Sequence, residues 1–83
     1  MGIRAFLREM RNRFRTQEEM ADWMSEQVGE KVRQPNLSLW LSGDRYPDRR
    51  SRDLIRRAFK VSRRKWADIL LADEIGEAEP VTV

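Results

Sequence analysis

Apolar residues recur along the chain at helical spacing, in five separate runs. Ile3, Phe6, Leu7, Met10 and Phe14 advance in steps of three and four, which predicts an amphipathic helix over 3–14. Thr16 followed by Glu19 reads as a capping box: the threonine hydroxyl takes the Glu19 N–H, and the Glu19 carboxylate reaches back to the Thr16 N–H. A second helix therefore starts there, with Met20, Trp23, Met24 and Val28 on its buried face. Ala21 is small enough for close approach of a neighbouring helix, and Gly29 offers a stop. Pro35 suits a first turn, where its missing N–H costs nothing, and Gly43 suits the left-handed residue that ends a helix, so a third helix of about two turns covers 34–42. Leu54, Ile55, Ala58, Phe59 and Val61 give a fourth helix over 49–60, with Asp48 as its cap. Ser62 caps a fifth, in which Trp66, Ile69 and Leu70 repeat at the same spacing. The fold class that follows is all-α, a compact five-helix bundle. Trp23, Trp40 and Trp66 each fall on an apolar stripe and are expected in its core rather than as stacking platforms.

Composition narrows the chemistry. The 83 residues make one small domain with a core of marginal size, so self-association would add stability. Without cysteine or histidine there are no disulfides, no zinc-finger ligands and no thiol or imidazole catalysis, which leaves little for an enzyme. No cofactor is expected, no small-molecule substrate, and no membrane span, since no apolar run approaches the roughly 18 residues that one needs. A cytoplasmic location is the default expectation, in a bacterium or a phage-infected host.

The net charge is only +3, but every Lys and Arg lies within residues 1–65, while Asp68, Asp73, Glu74, Glu77 and Glu79 make the last stretch purely acidic. This divides the chain into a basic body over 1–72 and an acidic, frayed tail over 73–83. Arg4, Arg8, Arg11 and Arg15 form a stripe on the first helix. A solvated face explains them more simply than phosphate contact does.

The third helix carries the most informative pattern. Leu37, Trp40 and Leu41 share one face, whereas Gln34, Asn36, Ser38 and Leu39 fall elsewhere, so its outward side is neutral and mostly polar. Side-chain amides at Gln34 and Asn36 can pair bidentately with adenine, Ser38 can donate or accept, and Leu39 can pack on a thymine methyl. The run Val32-Arg33-Gln34-Pro35-Asn36-Leu37-Ser38-Leu39-Trp40-Leu41-Ser42-Gly43 resembles the recognition helix and following turn of the Cro and lambda-repressor-like (XRE) helix-turn-helix family. Thr16-Gln17-Glu18-Glu19-Met20-Ala21 resembles the opening of that family's first motif helix. The resemblance implies a lambda-repressor-like bundle that binds double-stranded DNA as a homodimer on a near-palindromic site. It further implies a regulator of transcription, with repression the expected outcome. The small size is similar to that of phage Cro-type and immunity repressors.

The resemblance also implies phosphate contacts from Gln17 in the first turn of the second helix and from the turn after Gly43, where Arg45, Tyr46, Arg49 and Arg50 are the candidates; Arg33 joins them at the start of the third helix. In one respect the chain departs from the family. Thirteen positions separate Ala21 from Gln34, about twice the compact spacing, so the extra residues around 25–30 must lengthen the second helix or the turn, giving an extended helix-turn-helix. Two other readings stay open. An antitoxin would join the same DNA-binding body to a tail, 73–83, that binds a partner protein. A pure protein-interaction module would explain the helices but would not need the polar first turn.

Overall fold

Short polar side chains start three of the helices and left-handed glycines end two, as the local sequence requires. A computed structural model describes residues 1–75 and contains α1 (Ile3–Arg11), α2 (Gln17–Val28), α3 (Gln34–Ser42), α4 (Arg49–Ala58) and α5 (Arg63–Glu74), with no strand among them. Thr16 Oγ accepts the Glu19 N–H at 3.0 Å, Asp48 accepts the Ser51 N–H at 2.8 Å and Ser62 accepts the Lys65 N–H at 3.2 Å. The reciprocal arm of the first cap differs from expectation, because the Glu19 carboxylate takes the N–H of Arg15 at 3.3 Å rather than that of Thr16. Gly29 and Gly43 end α2 and α3 at φ 70 and 86.

Two helices are shorter than their apolar pattern. α1 stops at Arg11 because the Arg11 guanidinium folds over the chain end and donates to the carbonyls of Phe14 at 2.8 Å and Arg15 at 3.4 Å. Phe14 is then delivered from a turn onto Trp23, with ring centroids 5.4 Å apart. α4 stops at Ala58, since Lys60 adopts a left-handed φ of 52 and lets the Val61 N–H reach back to the Arg56 carbonyl at 3.1 Å. α5 in contrast continues through Asp73 and Glu74, two residues into the stretch expected as tail. The remainder of that stretch, 76–83, lies outside the described residues.

Between Ala21 and Gln34, α2 runs on to Val28 and a short turn leads to α3. Ser25 closes the turn that follows: its hydroxyl donates to the Ala21 carbonyl and accepts the Val32 N–H, each at 2.8 Å. Val32 is thereby anchored in the core at 4% exposure, and α3 starts from a fixed point.

The core collects Phe6 and Leu7 of α1, Met20 and Met24 of α2, Leu37 of α3 and Ile55 of α4, each almost fully buried. Trp40 and Trp66 join it, and Trp23 packs against it half-buried. Edge-to-face contacts of Phe6 with Phe59 and Trp66, at 5.7 and 6.2 Å, knit α1 to the ends of α4 and α5. No buried polar or charged side chain occurs among the described residues, so the charged groups act at the surface.

Candidate nucleic-acid interface

The first turn of α3 has Arg33 in the cap position with no side chain closing it. Its free N–H groups and the positive end of the helix dipole are therefore available to an anion. Gln34 is half-buried because its Nε2 donates to Gln17 Oε1 at 2.9 Å, which ties the first turn of α3 to the first turn of α2. The pair leaves much of its capacity unspent. Gln34 keeps one N–H and its carbonyl oxygen, and Gln17 keeps both N–H donors.

The outward side of α3 lies between two polar clefts. One is lined by Arg8, Arg11, Asn12 and Gln17 with Ser38 and Ser42 of the helix itself. The other holds Asn36 between Lys31 and Arg33 of the preceding turn and Arg50 and Ser51 at the start of α4. Asn36 is exposed and Ser38 half-exposed. Leu39 between them is also half-exposed, so less of it is available than a freely outward leucine would offer. A neutral, mostly polar strip thus runs between basic flanks.

The structure separates the expected phosphate-contact residues. Gln17, Arg33 and Arg50 stand beside the two clefts, whereas Arg45 and Tyr46 lie beyond the far end of α3, in a third cleft with Ile3 and Asp73. The side chains of Arg33, Arg45 and Arg49 are exposed and have no hydrogen-bond or ion-pair partner within the described residues. Arg50 is already engaged, with its Nη2 on Glu30 Oε1 at 2.7 Å. Tyr46 donates its hydroxyl to Asp73 at 2.8 Å, so its contact with a phosphate would require giving up that bond.

Electrostatics follow these partners. Hydrogen bonds from Arg50 and Arg57 hold the Glu30 carboxyl below its ordinary range, and the same bonds raise both arginines. Asp48 is lowered by the Ser51 N–H it caps. Partial burial and the hydrogen bond to Asp73 push the Tyr46 hydroxyl up to about 12.

Several residues of this surface escaped the sequence reading. Arg4 and Arg8, read as a solvated face, donate through Nε to the Leu41 carbonyl at 3.3 and 3.2 Å and so bear on the negative end of α3. Asn12 and Ser42 line a cleft that exists only once α1 lies beside α3. The arginine spacing was the one signal visible in advance. Among the described residues there is no group of three or more His, Cys, Asp or Glu that could hold a metal ion, and no helix is long and apolar enough to cross a membrane. The chain matches no family model, no curated protein and no solved structure.

Proposed function

We propose that this chain is a sequence-specific DNA-binding regulator of the Cro and lambda-repressor-like type, acting as a repressor, which reads the major groove with α3. The observation that carries the reading is the neutral polar strip of α3 between two clefts lined by arginine and lysine, with its first turn tied to α2 through Gln34 and Gln17. A major groove offers base edges at its floor and a phosphate ridge on either side. Adenine would accept the remaining Gln34 N–H at its N7 and donate its N6 hydrogen to the Gln34 oxygen, while Gln17 donates to a phosphate. Asn36, Ser38 and Leu39 complete the reading strip, and Arg33, Arg45, Arg49 and Arg50 supply the cationic flank.

Two-fold pairing belongs to the same reading, because one small helix covers only a half-site. Leu71 and Ile75 support it: they lie one helical turn apart at the end of α5 and are 53% and 67% exposed, and among the described residues only Met1 and Tyr46 are other large apolar side chains exposed to a like degree. Selection from a random duplex pool at near-physiological salt should recover an inverted repeat, bound about a thousandfold more tightly than a scrambled duplex. Gln34→Ala should lose roughly 1–3 kcal/mol on the selected site and little on the scramble. Equal losses on both would remove the base-reading role.

A further inference from the structure

Glu30 is the one acidic residue lining the cleft between the α2–α3 turn and α4, where Lys31, Arg33, Asn36 and Arg50 converge. Both of its oxygens are used. Oε1 accepts from Arg50 at 2.7 Å and Oε2 from Arg57 at 3.0 Å, and Arg57 is held a second time by Asp53 at 3.0 Å. The two ends of the arrangement differ in exposure. The Arg50 side chain is 83% exposed and paired only with Glu30, against 41% for Arg57, which is held twice, and 34% for Glu30, so Arg50 is the arm that can leave at the cost of a single pair. Arg50 also stands in the first turn of α4, whose N-terminus is already capped by the Asp48 carboxylate.

We infer that Glu30 is a specificity-determining residue: it holds Arg50 off the DNA in loose complexes and releases it to a phosphate only when α3 is seated in its site. The inference rests on the DNA-binding reading above. Its physical basis is competition between two anions for one guanidinium. In a loosely associated, hydrated complex the phosphates stay screened and outside hydrogen-bond range, so the short Glu30 pair persists and the cleft presents one cation fewer. In the seated complex a phosphodiester, with the same single charge as a carboxylate, reaches hydrogen-bond distance, and the neighbouring phosphates of the duplex add their attraction to it. Arg50 then transfers, and the negative charge left on Glu30 stays compensated by Arg57. Glu30 thereby lowers sequence-independent affinity more than it lowers affinity for the chosen site.

Glu30→Gln keeps the shape and a carbonyl acceptor but removes the charge, so Arg50 should be free in every complex. Binding of full-length wild type and Glu30→Gln to the selected duplex and to a scrambled duplex is measured across a salt series. On the scramble, the slope of log K against log salt should steepen by about 0.9, as neutralisation of one further phosphate by the freed Arg50 across the hydrated gap requires. Affinity there should rise several-fold, and the ratio of selected to scrambled affinity should fall. In an Arg50→Gln background the same Glu30→Gln change should leave the slope unaltered, since the arm that transfers is gone. Glu30→Asp retains the charge and should keep the wild-type slope. An unchanged slope in Glu30→Gln, or a steeper slope that persists without Arg50, overturns this inference and leaves DNA binding intact. Failure of folded wild type to bind any duplex overturns the DNA-binding reading, and the role of Glu30 falls with it.

Discussion

Tyr46 is the only tyrosine in the chain, so its ionisation can be followed alone by the absorbance of tyrosinate. Partial burial disfavours its ionised form, and its neutral hydroxyl donates to Asp73, where an ionised oxygen would face a carboxylate instead; together these push its pKa from 10.0 up to about 12. A raised pKa means that the folded state favours the neutral form. The stabilisation is therefore complete below about pH 10 and is lost as pH rises through 10 toward 12. Because the residue is 52% exposed, solvent screening keeps the effect small. The folded protein should show a tyrosinate midpoint near 12, and Asp73→Asn should lower it only part of the way toward 10.0, since the contribution of burial stays. A wild-type midpoint at 10 would mean that the hydroxyl is free in water. The same bond shows why Tyr46 could be nominated from sequence as a phosphate contact yet stand committed elsewhere: its partner lies 27 positions away.

The helix ends test the local reading of the chain at the scale of the element. Lys60 occupies the left-handed position that glycine fills at the ends of α2 and α3. A residue with a Cβ is strained there by about 1–2 kcal/mol, so Lys60→Gly should stabilise the protein by roughly 0.5–1 kcal/mol after the added freedom of the unfolded chain is subtracted. Thermal or denaturant unfolding would decide it, and a loss of stability would show that the lysine side chain contributes packing that outweighs the strain. The extended spacing between Ala21 and Gln34 was visible from sequence as a departure, but not how it would be resolved. That outcome depended on Ser25, whose hydroxyl serves Ala21 and Val32 across the turn and lets α2 grow without displacing the start of α3.

Across the whole molecule, Asp73 joins three segments. Its carboxylate caps α1 from a distance by accepting the Ile3 N–H at 3.0 Å, in place of a side chain at Gly2, and it holds the α3–α4 connection through Tyr46. Gly2 leaves room for it, since a Cβ there would collide with the Asp73 carboxylate. Gly2→Ala should therefore displace Asp73, reduce stability by about 1–3 kcal/mol and lower the Tyr46 midpoint. Denaturant unfolding combined with the tyrosinate titration reads both effects together. A variant that keeps wild-type stability and titration would show that the carboxylate can shift without losing either partner.

The sequence by itself determined the five helices, their caps at Thr16, Asp48 and Ser62, the stops at Gly29 and Gly43, and the buried faces, because each depends on neighbours within a turn or two. It also determined that the outward strip of α3 would be neutral and polar. Only the tertiary structure decided which of those polar groups are joined: Gln34 to Gln17 across 17 positions, Arg50 to Glu30 across 20, and Ile3 to Asp73 across 70. These pairings depend on how the helices cross. The crossing is set by the shared core of Phe6, Leu7, Met20, Leu37 and Ile55, not by the residues that end up bonded. Helical periodicity can tell which side of each helix faces solvent. It carries no record of which other helix will stand beside that side.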